Sequence, residues 1–432
     1  MSERDGLSNT VRGIAETVPD PLQVLRVRRA RLAVLGVAAV FLALKLVIAA
    51  TTSGTQDVGT WEIFVDAVQA QGPVGIYGID LPNALYNHPP LIGYYLEVMH
   101  ALQTAGIPVR FSIRASSSVA DVVSCLIVFE LLRTRRTLRT ATASAMLVAA
   151  SPILLVIAGF HGNTDPIFVM LVLVATYLLT DKHSPAWAGC AIGLAVGVKL
   201  IPIVVIPALL VYAGSRGWRY FTRFAGAGAA VFLVTWGPVL VWQRPGLMSK
   251  VIGYAGASSQ WGIIQFGHWA GDPWWVAFLS GPGRLLIVGL VAGFCGWIVW
   301  RRPVAVPTAV GLALAGFWAL SPASATQYYA WPAAASFLIV FWGAAAYNIL
   351  GGILLMVAYT RWSAAFPWDL ALVNAQSPGE VVFGVVVWAI LCLTVWSGIW
   401  QQFSRGPASP TDQVVLESVL SEIPATAVRP DS

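Results

Sequence analysis

Charge is what this chain has least of. Charged residues make up 11% of its 432 positions and apolar residues 57%, where an ordinary soluble domain carries about 25% charged residues. That scarcity excludes a soluble globular protein and implies a polytopic membrane protein. Cysteine is nearly absent too: Cys125, Cys190, Cys295 and Cys392 each stand alone in an apolar stretch, so neither a disulfide framework nor a CxxC metal or redox site is written here. No Gly-rich nucleotide-binding turn follows a strand pattern, and no internal repeat of the kind that marks many transporters is found. The first thirty residues hold acids and prolines and no early apolar core, so they do not read as a cleavable signal peptide. The first apolar run is expected to act as the membrane signal itself. The net charge of +6 does not point to nucleic acid, because the Lys and Arg residues cluster at the ends of apolar runs, as topology determinants do.

Those clusters orient the chain. The basic stretch ending at Arg31 precedes an apolar run to Ala50 and places the N-terminus in the cytoplasm. The run from Leu91 to Gln103 carries Glu97 and His100 and is shorter than the roughly 20 residues of a crossing helix, so it reads as an outer interfacial helix. The run Arg114 to Leu132 then crosses inward and delivers the cluster 133–139 to the inner side. Alternation continues to the end: about twelve spans are expected, with both termini cytoplasmic. Ala330 to Ala346 and Asn348 to Tyr359 read as separate spans. The resulting organisation is a cytoplasmic segment 1–30, an all-α transmembrane bundle 31–400 with a large first outer loop 52–113 and a long outer loop 243–283, and a disordered cytoplasmic tail 401–432.

The stretch from Asp57 to His88 combines carboxylates, a histidine, aromatics and a Pro-Pro step. A turn-rich segment of this kind cannot sit in hydrocarbon, where its backbone groups would go unpaired. It belongs at a water-facing surface, on this topology the outer one. Asp57, His88, His161, Asp165, Lys199, Gln327 and Tyr328 all fall at or near outer span ends. Each has a plainer reading. Asp57 fits a helix N-cap for the Trp61 segment, and Asp66 and Asp80 are further acids in the same loop. His88 could mark only a Pro-stiffened helix entry, and His161 with Asn163 and Asp165 could cap the following helix. Lys199, between two apolar half-helices, is costly without a partner or a function. Asp121 lies two turns below Arg114 on one face and suits an ion pair with it, while Lys45 is expected to snorkel outward. Trp261, His268 and Trp269 in the long loop suit either an aromatic belt or a sugar or acceptor site.

Taken together, these residues carry a resemblance. The acid soon after the first span, the N-H-P-P-L step at 87–91, the Ala120–Asp121 pair, the G-F-H-G-N-T-D turn ending at Asp165, the K-L-I-P step from Lys199 and the Q-Y-Y-A-W-P run from Gln327 to Pro332 resemble the GT-C superfamily of integral-membrane glycosyltransferases. The likeness covers roughly Lys45 to Pro332 and is greatest to polyprenyl-phosphate-sugar-dependent mannosyl- and glucosyltransferases, including the GPI mannosyltransferase I type. His88 stands where relatives carry an aromatic residue, and Asp57 is not part of a D-x-D pair. The resemblance implies inverting transfer of a hexose, mannose favoured, from a polyprenyl-phosphate sugar to a lipid-linked or glycan acceptor at the outer face. It makes Asp57 the catalytic base. Lys199 and Arg114 would stabilise the leaving phosphate, with His161 or His88 as hydrogen-bond donors, Asn163 and Asp165 beside them, and Gln327 and Tyr328 against the donor head group. No cofactor and no metal ligand is assigned, and metal dependence stays open without a D-x-D pair. The inner loops are also too short for a nucleotide-sugar domain of about 100 residues, which favours a lipid-linked donor. The alternative from another class is a membrane transporter or lipid flippase.

Overall fold

Apolar runs of this length have one way to satisfy their backbone inside a bilayer, which is to close every hydrogen bond within a helix. The computed structural model describes residues 21–404 apart from 255, 257–260, 324, 364–368 and 373–374. The expected tail beyond 404 and the segment before Pro21 lie outside the described residues. Among the described residues, eight helices are long and apolar enough to cross a membrane. They are α1 (Pro21–Thr51), α4 (Val109–Arg133), α5 (Leu138–His161), α9 (Trp218–Trp242), α10 (Pro273–Arg301), α11 (Pro303–Leu320), α13 (Phe341–Trp362) and α14 (Pro378–Ser404). Between them lie α2 (Gln56–Gly75), α3 (Leu91–Thr104), α6 (Asp165–Thr180), α7 (Pro185–Val198), α8 (Ile206–Ser215) and α12 (Ala330–Ala335). The fold is an all-α polytopic bundle. Among the described residues the only strands are β1 (Gly54–Thr55) and β2 (Leu370–Ala371), paired in parallel. They tie the first loop to the segment after α13.

The short helix expected from Leu91 to Gln103 is α3, which buries Ile92, Gly93, Leu96 and Met99 and turns Glu97 away from that face. The short helices α6, α7 and α8 sit inside the bundle, where neighbouring protein relieves them of spanning alone. The α7 to α9 contact shows how: at Gly189 the backbone of Phe224 comes so near that an added Cβ would lie 2.1 Å from its carbonyl oxygen. Small residues permit this backbone approach, the main source of helix affinity where lipid is as apolar as leucine.

Several expectations change. The boundary expected near Tyr347 does not exist, because Phe341–Trp362 is one helix and the break lies at Val340, which is extended. Lys45 does not snorkel. It is 2% exposed and its Nζ lies 2.6 Å from Asp121 Oδ2, so Asp121 pairs with Lys45 and not with Arg114. Each charge offsets part of the desolvation cost of the other.

Two polar ends result. At one, Arg31 meets Glu130 at 2.7 Å, and Arg135 grips Asp181 through two parallel bonds of 2.9 Å. At the other, the start of α4 reaches the end of α1, the first loop folds over the end of α5, and Arg361 pairs with Glu380 at 2.7 Å. The residues expected at outer span ends all lie at this second end.

Candidate active site

The site begins with a turn that α-helical geometry does not supply. At the end of α5 the residues Ile157–His161 widen into one π-helical turn, a feature common at functional positions. Gly162 follows at φ 81°, where an added Cβ would also lie 2.6 Å from Val58, so only glycine fits. The turn is then bolted to the first loop. Thr55 Oγ1 donates to His161 O at 2.9 Å and Trp61 Nε1 donates to Gly162 O at 3.0 Å. These two bonds bring α2 against α5 and so bring Asp57 to His161, with Oδ2 3.0 Å from Nε2.

Asp57 is not an N-cap. Thr55 occupies that position and Asp57 lies in the first helical turn, where the helix dipole favours its negative charge. Its side chain keeps 34% exposure and lines a cavity of about 210 Å³ with Thr60, Trp61, His88, Asn163, Lys199 and Gln327 among its neighbours. Burial works to raise the Asp57 carboxyl, but the hydrogen bond from His161, with the Lys199 charge beyond, holds it below the ordinary carboxylate value. It is an ionised acceptor at neutral pH. His88 is held at ring-centroid distances of 4.5 Å from Trp61 and 5.7 Å from both Phe64 and Tyr86. Burial in that aromatic box, reinforced by the Lys199 charge, pushes it down to about 3, so it faces the cavity as neutral imidazole.

Lys199 sits at the break between α7 and α8, in extended conformation before the 3₁₀ turn Ile201–Val204. Its Nζ is 2.6 Å from Asp165 Oδ1 and 5.4 Å from the centroid of the Tyr328 ring. Asp165 is fully buried, and its second oxygen accepts from Trp331 Nε1 at 2.8 Å. The acid therefore holds the lysine and does not reach the cavity. Asn163 does reach it, while its Oδ1 also accepts from Asp165 N at 3.0 Å, just before α6. Gln327 and Tyr328, on the 3₁₀ turn Thr326–Tyr329, form the opposite wall. Desolvation raises the Tyr328 phenol, aided by Asp165, so it is a neutral hydroxyl.

Arg114 stands apart. It is fully buried and outside the cavity lining, with its guanidinium donating to Arg110 O, Ala49 O, Thr52 O and Thr52 Oγ1 at 2.7–2.9 Å. It closes off the last carbonyls of α1, which would otherwise be orphaned. His161 also makes no contribution to the lining; both its ring nitrogens are engaged within the protein. Asp66 is exposed and Asp80 pairs with Lys250 at 3.0 Å. Neither lines the cavity. Trp261 is buried against Tyr329, whereas His268 and Trp269 are exposed and line no part of it. Sequence reading missed Thr60, Asn87 and Tyr254 in the lining, and Tyr359 behind His161. Asn87 stood inside a motif already singled out; Tyr359, in a plain apolar span, had no local signal.

A second cavity of about 240 Å³ opens from the first, sharing Asn87, His88, Lys199, Tyr254 and Tyr328. Its other walls are largely apolar, with Leu200, Ile201, Leu285, Val288 and Phe317, and Arg284 at its side. Leu285 is 68% exposed on the outer surface of the bundle. Among the described residues no group of three or more His, Cys, Asp and Glu side chains is placed to hold a metal ion.

Residues 87–242 match a family described as dolichyl-phosphate-mannose-protein mannosyltransferase. The matched segment is less than half of the chain; it contains His88, Asn163 and Lys199 and begins after Asp57. No curated protein matches the chain. Among solved structures the chain resembles an Archaeoglobus fulgidus oligosaccharyltransferase tethered with an acceptor peptide, at 14% identity and a TM-score of 0.37, over 91% of this chain and 57% of that one. The chain thus spans little more than half the length of that protein. The 87–242 segment is thus similar to a family of membrane mannosyltransferases, and it lies in a bundle whose long apolar helices carry a polar cavity at one end.

Proposed function

We propose that the chain transfers a hexose, mannose in the favoured reading, from a polyprenyl-phosphate sugar to a lipid-linked or glycan acceptor with inversion at the anomeric carbon. The observation that carries this is a single polar cavity in which a carboxylate and an ammonium face the same space, continuous with an apolar groove. The sugar sits in the cavity and the lipid enters along the groove past Leu285 and Val288. Asp57 accepts the proton of the acceptor hydroxyl as its oxygen bonds to the anomeric carbon, a general-base step. The bond from that carbon to the phosphate oxygen breaks, its electron pair stays on the phosphate, and Lys199 meets the charge. A fixed cation at the point where charge develops is the strongest electrostatic aid available to such a step. Neutral His88, Gln327, Asn163 and the Tyr328 hydroxyl supply hydrogen bonds to the sugar.

The extracytoplasmic placement of this cavity rests on the opposite end of the bundle, where the clusters 26–31, 133–139 and 216–223 and the pair Arg301 and Arg302 gather. Such an excess marks the cytoplasmic side. The experiment is transfer of radiolabelled mannose from polyprenyl-phosphomannose in membranes bearing the chain. Loss of a positioned base lowers rate by about 10²–10⁴-fold, so Asp57→Asn is expected to lose most transfer while keeping its expression. A normal rate in Asp57→Asn refutes the mechanism, and lipid movement without transfer would favour a flippase.

A further inference from the structure

We propose that Tyr359 and His161 are positioning residues that fix one oxygen of Asp57 and leave the other for the acceptor hydroxyl, an inference that rests on Asp57 being the base. His161 is 1% exposed. Its Nε2 lies 3.0 Å from Asp57 Oδ2, and its Nδ1 lies 2.5 Å from the Tyr359 hydroxyl. An imidazole has two polar atoms, so none remains for a sugar. The role that the resemblance suggested for His161, direct contact with substrate, is replaced by one exerted through Asp57.

The direction of the hydrogen bonds follows from valence. Ionised Asp57 can only accept, so Nε2 carries a hydrogen. In neutral imidazole Nδ1 then carries a lone pair, and the Tyr359 hydroxyl is its donor. Tyr359 is fully buried, its ring 5.5 Å from those of Phe160 and Trp362, and its oxygen is hydrogen-bonded by Thr326 as well. The phenol is thus held at its ring and at its oxygen. Thr326 begins the turn that carries Gln327 and Tyr328 into the cavity wall, so one chain of bonds links that wall, α13, the π turn of α5 and the base on α2. With Oδ2 taken by His161, Asp57 Oδ1 has no hydrogen bond among the described residues and is free to receive the proton. Lys199 and His88 are the other charged or titratable groups that act on this carboxylate.

The test uses the full chain in detergent, with histidine labelled with nitrogen-15 in the ring. The chain has five histidines, and His161→Gln identifies the His161 signals by their loss. In the native protein Nε2 is expected as the protonated nitrogen and Nδ1 as a hydrogen-bonded acceptor. Tyr359→Phe keeps the packed ring, removes only the donor, and should shift the Nδ1 signal and mix the tautomers. In transfer from polyprenyl-phosphomannose, Tyr359→Phe should lower kcat by roughly tenfold, the scale of one hydrogen bond of about 1.4 kcal/mol, with donor KM within about twofold. His161→Gln, whose amide nitrogen can stand where Nε2 stood, should retain more turnover than His161→Leu. An unchanged ring spectrum in Tyr359→Phe overturns the inference, as does a raised KM at unchanged kcat. If the native chain transfers no mannose, the proposed donor is wrong, and the ring spectrum still decides the hydrogen-bond pair.

Discussion

Lys199 is the cation assigned to the leaving phosphate, and its removal exposes a second consequence that the structure allows to be separated from the first. Lys199→Met would leave Asp165 fully buried with an uncompensated charge, because its other partner, Trp331, donates only one neutral bond. Breaking a buried pair by deleting one partner costs about 3–5 kcal/mol. Lost activity in this variant alone would therefore be ambiguous. Asp165→Asn restores neutrality, since the amide oxygen can still accept from Trp331 Nε1. In the double variant Lys199→Met, Asp165→Asn the charge is gone from both sides, and the stability loss should fall to roughly 1 kcal/mol or less, in line with neutral replacements of buried pairs. The coupling between the two sites should thus be at least about 2 kcal/mol, far above the few tenths expected of independent positions. The assay is thermal unfolding in detergent followed by tryptophan fluorescence, at one scan rate, beside initial transfer rates per folded protein. The Lys199 single variant should unfold several degrees early, the double near the native temperature, and both should be inactive. A double variant as unstable as the singles would refute the ion-pair account. A double variant that turns over normally would remove Lys199 from the phosphate.

Other tests address separate links. Gly59→Cys, where an added side chain meets open space, should react with an impermeant thiol reagent added outside intact cells, and Thr137→Cys only after permeabilisation; the reverse pattern would invert the proposed orientation. Because the His161 hydrogen bond and the Lys199 charge outweigh burial and hold the Asp57 carboxyl below its ordinary value, the base stays ionised through mildly acidic pH. The rate should therefore be flat down to the ordinary carboxylate range and fall below it, and an acid limb near pH 6 would contradict the lowered value. Gly189→Ala must displace the backbone of Phe224, and overpacking of this kind costs about 1–3 kcal/mol, read as a lower unfolding temperature with unchanged donor KM in the surviving fold.

What could be read from residue order was set by local and one-dimensional physics. Apolar runs must be helices in lipid, so the all-α bundle was legible in the sequence, as was a separate short helix from Leu91. The span break at Lys199 was legible for the same reason, since two prolines and a charge interrupt an otherwise apolar stretch. The boundary near Tyr347 was misread because hydropathy changes little across Val340, where the backbone alone reverses direction.

Which polar residues meet, and in what role, was decided by tertiary structure. Helix spacing suggested Arg114 for Asp121 and left Lys45 to snorkel, and only the approach of α1 to α4 selects Lys45 with Asp121 while Arg114 is spent on the carbonyls of α1. Asp57 looked like a cap until Thr55 was seen in that position. Asp165 and His161 looked like ligands until their partners, Lys199 and Trp331 for one and Asp57 and Tyr359 for the other, were seen to use up their polar atoms. Sequence lists donors and acceptors, but a donor has only as many partners as its valence permits. The fold decides which of them arrive first.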